Sequence, residues 1–271
     1  IKLWILFATG LSLFLEATAQ QKQPAVWEAR LLYPLPADTN TIQIQRNINY
    51  ARKPDSFTLL DIYKPSAQSK SNAPVVLLVH GGPVSPAIPV KPKDWTIYKD
   101  YGKLLASKGL CAVVLNHRLF DKENMTQSRM DLLDAIEYVK KNAATYQLQS
   151  NAIGIWMFSF GGTHVDFFAQ GKDSTIKALV SFYGFLDVKS ATTDVASFKP
   201  AQLIVRCGLD KPTLLSFTDR YIAQALQRNY SIEIVNYSDG KHAFDMMQPT
   251  EQTQLLIDKA IAFLQQRLSV H

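Results

Sequence analysis

The stretch IGIWMFSFGG, residues 153–162, joins an unbroken apolar run to a serine and a pair of glycines. Continuous apolar runs are typical of strands that are covered on both faces of a parallel sheet. Small residues just after a strand suit a tight strand-to-helix turn, because the following helix crosses close to the strand. The stretch therefore predicts either a buried strand that ends at an ordinary turn, or a strand that presents Ser159 as a nucleophile.

The same alternation of strand-like and helix-like segments continues on both sides of this stretch. The segments at 41–51 and 57–65 alternate like antiparallel strands, and the later strand-like segments are continuous apolar runs. The pattern predicts a single α/β domain with a doubly wound, mostly parallel sheet. Two helical patterns carry apolar faces that would pack on this sheet, namely Met130, Leu133, Ile136 and Val139 in one, and Ile257, Ala260, Ile261, Leu264 and Leu268 in the last helix.

The first twenty residues, IKLWILFATGLSLFLEATAQ, have the plan of a secretory leader. One early Lys precedes an apolar run of about 14 residues, and small residues follow at Ala17 and Ala19. A membrane anchor is the alternative, but a span needs about 20 apolar residues and Glu16 interrupts this run earlier. We expect a signal peptide at 1–19 and a mature domain at 20–271 that is secreted or periplasmic, without stable membrane insertion.

Charge and cysteine content argue against several classes of function. The formal net charge is +6 over 271 residues, yet Lys and Arg are scattered and no basic run is interleaved with aromatic residues. Nucleic-acid binding is therefore not expected. No metal-ligand spacing and no glycine-rich phosphate loop is present, so no cofactor or metal is implied. Cys111 and Cys207 lie in strand-like runs and are expected to be buried apolar residues rather than a disulfide.

Polar residues directly after the apolar runs are the candidates for chemistry, because ligands bind at the C-terminal ends of the strands in such a sheet. A serine hydroxyl needs a base to take its proton, and a third group must hold that base in one tautomer. Ser159, Asp210 and His242 follow three different strands and fit the roles of nucleophile, acid and base. The segments that qualify by position are 80–83, 116–118, 159–162, 208–210 and 238–242.

The acid and the base each have rivals. Asp187 follows the preceding strand and could take the place of Asp210. His242 lies after the last strand in a glycine-bearing loop, which distinguishes it from the other histidines. Those are His80, His117 as a possible pocket wall, His164 as a packing or surface residue, and the terminal His271.

Five ordered motifs stand at these positions: LDIYKP at 60–65, VVLLVHGGP at 75–83, IGIWMFSFGG at 153–162, GLD at 208–210 and GKHAFD at 240–245. With them the sequence resembles the α/β-hydrolase superfamily, and more narrowly its dienelactone-hydrolase-like and secreted esterase branches. The resemblance covers about residues 40–265. It implies an α/β-hydrolase fold in which these motifs supply an early strand, the oxyanion loop, the nucleophile elbow, the acid and the histidine.

The resemblance also implies an oxyanion site built from backbone amides. The HGG motif would contribute the amide of Gly81 or Gly82, paired with the amide of Phe160, whereas Pro83 has no N–H to donate. His80 is expected to hold the loop by hydrogen bonds. The serine at the elbow argues against true dienelactone hydrolase chemistry, for which the resemblance would imply a cysteine.

The expected function is that of an exported serine hydrolase of carboxylic esters, acting on a small-molecule or carbohydrate ester. The same triad would serve a peptidase or an acyltransferase. Met157 replaces the first glycine of the G-x-S-x-G pattern, and a distorted elbow would favour a non-catalytic binding protein. Met is flexible, so we expect a working elbow. The proline-rich segment 83–95 is expected to be a wall over the acyl pocket or an ordinary surface loop.

Overall fold

A computed structural model describes residues 25–37, 42–52, 55–65, 72–186 and 199–269. The predicted leader at 1–19 lies outside the described residues, and so do Asp187 and His271. The boundary between leader and domain therefore stays a prediction.

The described residues form one eight-stranded sheet in the order β1-β2-β4-β3-β5-β6-β7-β8. The pairs β1–β2 and β2–β4 are antiparallel, and every pair from β4–β3 to β7–β8 is parallel. The predicted mostly parallel α/β sheet is confirmed, as is the antiparallel start. The strands are β1 (Gln43–Asn49), β2 (Leu59–Lys64), β3 (Ala73–Val79), β4 (Cys111–Leu115), β5 (Leu148–Phe158), β6 (Ile176–Phe182), β7 (Ala201–Cys207) and β8 (Ile232–Tyr237).

Helices cover both faces of the sheet. One apolar cluster joins α1 and α7 to the side of β5 that carries Trp156, and the other joins α2, α4 and α5 to the side that carries Met157. The helices are α1 (Thr96–Ser107), α2 (Met125–Lys141), α3 (Ala143–Tyr146), α4 (Val165–Ala169), α5 (Pro212–Gln227), α6 (Phe244–Met247) and α7 (Glu251–Leu268), with 3-10 segments at Val26–Glu28, Pro92–Asp94 and Ser159–His164.

The direction of the strand order reverses at β3. The chain runs from β3 to β4 on one side and then crosses back to β5 on the other. In open α/β sheets the crevice at such a reversal is where ligands bind. This topology brings the loop after β3 and the turn after β5 together at one edge of the sheet.

The predicted apolar face of α2 is shifted from the observed one. Met130 is 54% exposed, so its placement on the buried face was wrong. Two polar residues face inward instead: Asp131 accepts a hydrogen bond from the Arg118 amide at 2.8 Å, and Ser128 lies 2.7 Å from Nδ1 of His117. The spacing of apolar residues along the helix could not predict that these two polar positions face the core, and the predicted face was shifted as a result. The buried residues of α2 are Ser128, Asp131, Leu132, Ala135, Ile136 and Val139.

The remaining packing predictions agree with the structure. Cys111 and Cys207 are buried and carry free thiols. The predicted face of α7 is buried, including Ile257 and Leu264. Within the described ranges, no helix combines the length and apolar character needed to cross a membrane.

Candidate active site

Ser159 lies at a strained turn between β5 and the 3-10 helix Ser159–His164. Its φ is +51°, in the left-handed region that non-glycine residues seldom occupy. The Phe185 amide donates to the Ser159 carbonyl oxygen at 2.9 Å and so ties the turn to the end of β6. Such strain is characteristic of functional sites, where the surrounding structure holds it.

The two glycines after the serine allow close backbone contacts on either side of the turn. A Cβ at Gly161 would lie 2.6 Å from the carbonyl oxygen of His80, and one at Gly162 would lie 2.9 Å from Cα of Gly184. Any side chain would push against backbone in both directions. Gly161 and Gly162 therefore supply the space that the sequence predicted for them.

Ser159, His242 and Asp210 form one hydrogen-bonded chain. The Oγ of Ser159 is 2.8 Å from Nε2 of His242, and Nδ1 of His242 is 2.7 Å from Oδ2 of Asp210. In the tautomer that a serine nucleophile needs, Nδ1 of His242 donates to the carboxylate and Nε2 accepts from the serine. The Asp210 side chain is 5% exposed, and its other oxygen accepts from the Lys211 amide at 2.7 Å. The carboxylate is thereby held in one orientation.

The loop after β3 lies directly against the serine. A Cβ at Gly81 would lie 2.8 Å from Cβ of Ser159. The Gly81 amide donates to the Tyr98 hydroxyl at 3.1 Å, whereas the Gly82 amide has no hydrogen-bond partner among the described residues. The amide of Phe160 belongs to the first turn of the 3-10 helix, where amides have no partner within the helix. Of the two predicted loop donors, Gly81 already donates its amide hydrogen to Tyr98, whereas the amide hydrogen of Gly82 is available for a ligand.

Met157 is accommodated without loss of the elbow conformation. Its side chain is fully buried, and it belongs to the same apolar cluster as Val165 of α4 and Leu186 after β6. Only a short 3-10 turn separates Ser159 from α4. The side chain therefore fills space in the core on this face of the sheet.

His80 holds the loop, as predicted. Its Nδ1 is 2.6 Å from the Gly81 carbonyl oxygen, and its Nε2 accepts from the His117 amide at 3.3 Å. Burial lowers the pKa of His80 to about 4, so the ring stays neutral at physiological pH. Its ring stacks on that of His117 with 3.8 Å between the centroids.

The interpretation of His117 as a pocket wall was wrong. The side chain is completely buried, and Ser128 connects it to His164 through contacts of 2.7 Å to His117 Nδ1 and 2.9 Å to His164 Nε2. Burial lowers the pKa of His117 well below its usual range. Ser128 and His164 resemble a nucleophile and base, but both are fully buried and so beyond the reach of a substrate.

A cavity of about 520 Å³ opens over Ser159 and His242. The segment predicted as a wall, 83–95, does contribute to its lining, together with Val26 and residues 243–247. Among the described residues, the lining is mainly apolar and contains no Asp, Glu, Lys or Arg. It consists of Val26, Gly81, Gly82, Pro83, Val84, Ser85, Ile88, Trp95, Tyr98, Phe158, Ser159, Tyr183, His242, Ala243, Met246 and Met247.

The sequence model of the BD-FAE family matches residues 60–213, which is more than half of the chain. The chain belongs to the BD-FAE family. This is an α/β-hydrolase esterase family, and the protein is therefore a serine hydrolase of the esterase type. No curated protein matches the sequence.

Several solved structures share the fold of this BD-FAE member at low sequence identity. A bacterial heroin esterase has a TM-score of 0.68 and 13% identity, covering 86% of this chain and 87% of its own. A truncated carbohydrate esterase from gut microbiota has a TM-score of 0.65 and 17% identity, covering 86% and 100%. A bifunctional GH43-CE protein from Bacteroides eggerthii has a TM-score of 0.66 and 21% identity over 83% of this chain, which spans only 35% of that protein.

Near His242, the BD-FAE chain carries a buried carboxylate, that of Asp245, which the sequence analysis did not identify as a functional candidate. Asp245 is fully buried and accepts from the hydroxyls of Tyr101 at 2.7 Å and Tyr183 at 2.8 Å. Burial raises its pKa to about 6, against the lowering effect of those hydrogen bonds. The Tyr183 ring meets His242 edge-on, with 4.9 Å between centroids. The only sequence signal was the place of Asp245 in the GKHAFD motif.

Proposed function

We propose that this protein hydrolyses carboxylic esters by covalent catalysis at Ser159. The observation that carries the proposal is the hydrogen-bonded chain from Ser159 through His242 to Asp210, with its serine end open to an apolar cavity. A positioned base and a third group that orients it are what a serine hydroxyl needs to become nucleophilic. Membership of an esterase family supports the same reaction.

The proposed reaction has two steps. Ser159 Oγ attacks the ester carbonyl carbon while its proton passes to Nε2 of His242, and the carbonyl electrons move to the oxygen. The amides of Gly82 and Phe160 stabilise that oxyanion. The intermediate collapses to an acyl-enzyme as His242 protonates the leaving alcohol. Water, activated by His242, then releases the acid and restores the serine.

Asp210 supports both steps without taking a proton. Its carboxylate holds Nδ1–H of His242, so that Nε2 faces Ser159, and it stabilises the imidazolium that forms. The side chain is 5% exposed, and a largely buried carboxylate interacts more strongly with the imidazolium than an exposed one.

The substrate that we propose is a neutral ester with an apolar group, either a small molecule or a carbohydrate ester. The cavity lining includes the apolar side chains of Val84, Ile88 and Trp95, and also those of Met246 and Met247. Because none of the described residues that line the cavity is an Asp, Glu, Lys or Arg, a charged acyl group would lose its hydration without finding a charged partner among them. Rates on 4-nitrophenyl esters of increasing chain length, with acetylated sugars and a succinyl ester alongside, test this.

The decisive experiment uses the substitution Ser159→Ala with Ser128→Ala as a matched control. Both serines contact a histidine, but only Ser159 borders the cavity. We expect Ser159→Ala to lower ester turnover by about 10⁴-fold or more and to abolish labelling by a fluorophosphonate. Ser128→Ala should still be labelled. More than about a tenth of the activity left in folded Ser159→Ala would contradict the assignment.

Two comparisons separate this proposal from its alternatives. Asp210→Asn should lose far more activity than Asp187→Asn if Asp210 is the acid. A folded protein that no fluorophosphonate labels would indicate a binding protein, and labelling with turnover only on peptides or acyl acceptors would indicate a peptidase or an acyltransferase.

Export through a leader at 1–19 is also proposed, and the N-terminal sequence of the secreted protein should then begin near Gln20.

A further inference from the structure

Tyr98 of α1 stands at the edge of the catalytic centre. It is only 4% exposed, and its ring is enclosed by His80, Trp95 and Phe158, with centroid distances of 6.4, 6.0 and 5.6 Å. It lines the same cavity as Ser159 and His242. Its hydroxyl accepts the Gly81 amide at 3.1 Å, and Gly81 lies directly against the serine. The phenol oxygen is thus held beside the oxyanion loop.

The hydroxyl proton of Tyr98 has no acceptor among the described residues. A phenol can both accept and donate, and here only the accepting role is used. The nearby buried tyrosines differ, since Tyr101 and Tyr183 both donate to Asp245. A largely buried donor without a protein acceptor is unfavourable, and in a cavity a water or a bound ligand can complete it. Burial raises the pKa of Tyr98, and the negative charge of Asp245 adds to this, so the proton is retained at neutral pH.

We propose that Tyr98 is a catalytic residue whose hydroxyl donates a third hydrogen bond to the oxyanion, alongside the amides of Gly82 and Phe160. The inference rests on the proposed esterase function. When Ser159 attacks, the carbonyl electrons move to oxygen and the Tyr98 O–H donates to that oxygen without transferring its proton. The hydrogen bond strengthens as negative charge develops, which favours the transition state over bound substrate.

The test compares an oxo ester with its thiono analogue, in which sulfur replaces the carbonyl oxygen and is a weaker hydrogen-bond acceptor. We expect Tyr98→Phe to lower kcat/KM on the oxo ester by about 10- to 100-fold, at or below the lower limit for loss of an oxyanion donor, because two backbone amides remain. The thiono ester should lose much less, so the oxo-to-thiono ratio should fall. Because both rates come from one preparation, the ratio does not depend on the folded fraction.

Tyr221→Phe is the matched control, because its buried hydroxyl donates to Gln202 away from the cavity. That variant should keep the wild-type ratio. If Tyr98→Phe lowers both rates by one factor, the inference is overturned. An unchanged oxo-ester rate would also overturn it. A fall in the ratio could also come from a displaced Gly82 amide, because Tyr98 holds Gly81, and the 3-fluorotyrosine variant, which keeps the bond from Gly81, separates these two causes.

A second variant covers the case in which Tyr98→Phe is inactive or unfolded. Site-specific 3-fluorotyrosine at position 98 keeps the ring and the bond from Gly81 while making the phenol a stronger donor. The oxo-to-thiono ratio should rise, and an unchanged ratio would refute a donor role. Ser159→Ala separates the two proposals: if it stays active, the proposed function fails, whereas an inactive Ser159→Ala with a normal Tyr98→Phe rejects only Tyr98.

Discussion

Met157 occupies the place where the elbow pattern of the superfamily has glycine, yet Ser159 still adopts the left-handed conformation of an elbow. The reason is local packing. The Met side chain lies in the apolar cluster that also holds Val165 and Leu186, and an unbranched thioether fills irregular space with little strain. The feature that favoured a binding protein on sequence grounds is therefore compatible with an ordered turn.

We predict that Met157→Gly lowers stability without improving catalysis. Removing a fully buried Met side chain and adding a glycine to a strand should reduce the free energy of unfolding by about 3–5 kcal/mol. Ester turnover per folded molecule should change by less than about tenfold. Urea unfolding and steady-state rates measure the two effects.

Met157→Leu is the control for this substitution, because it keeps the volume and should leave both quantities near wild type. A hundredfold gain in turnover on Met157→Gly would show instead that the native Met distorts the site.

At the scale of elements, the turn between β5 and the 3-10 helix Ser159–His164 is compressed between two neighbours. Gly161 contacts the end of β3, and Gly162 contacts the turn after β6. Both neighbours are backbone at or just after the ends of central strands, so neither can easily move to admit a methyl group. The turn therefore depends on the pairing of β5 with β3 and with β6.

We predict that Gly161→Ala removes activity through this crowding. Its Cβ would lie 2.6 Å from the His80 carbonyl oxygen and 3.0 Å from that of Val79. Turnover should fall by more than about 100-fold, or the protein should not be recovered folded, because a misplaced nucleophile loses the benefit of orientation. Thermal unfolding and ester hydrolysis report the result.

Gly109 provides the comparison for the element-scale prediction. It has a φ of +85° and nothing within 4 Å of a built Cβ. Gly109→Ala should thus cost only about 1–2 kcal/mol of backbone strain and leave turnover unchanged. A fully active, stable Gly161→Ala would contradict the crowding argument.

Across the whole molecule, Asp245 joins parts of the chain that are distant in sequence. Its side chain accepts hydrogen bonds from the hydroxyls of Tyr101 on α1 and Tyr183 just after β6. Its backbone carbonyl oxygen accepts from the Leu32 amide at 2.8 Å. Burial raises its pKa to about 6 from an ordinary value of 3.8. The folded state thus binds a proton more tightly than the unfolded chain does. The stability that this contributes is fully present below pH 4 and is lost as the pH rises through about 6.

We predict that Asp245→Asn removes this pH dependence. Asparagine loses no proton, so the stability of the variant relative to wild type should increase between pH 4 and pH 7, by roughly 2–3 kcal/mol. Urea unfolding of both proteins at each pH measures the difference. Subtraction cancels the opposite contribution of His80 and His117, whose lowered pKa values weaken the fold as pH falls. A difference that stays flat with pH would show that Asp245 is not buried as a carboxylate.

The sequence by itself determined the kinds of elements, their order and the residues that follow the strands. Apolar periodicity is a local property that can be read from the sequence. Because the C-terminal ends of parallel strands lie at one edge of the sheet, residues that directly follow different strands are expected to lie close together. Ser159, Asp210 and His242 were selected as candidates in this way, and the structure places Ser159 and Asp210 each within hydrogen-bond distance of His242.

Only the tertiary structure decided which polar groups around these three residues already have hydrogen-bond partners and which are available to a ligand. The Tyr98 hydroxyl accepts a hydrogen bond from the Gly81 amide, and the buried His117 is hydrogen-bonded to Ser128. Tyr101 donates to Asp245, which lies 144 positions away in the sequence. Such contacts leave no local pattern, because a polar residue has the same identity whether it faces solvent or a buried partner. The partner is set by how the elements pack, and so the hydrogen-bond partners of the oxyanion loop, and the titration of the carboxylate beneath His242, follow from the folded structure alone.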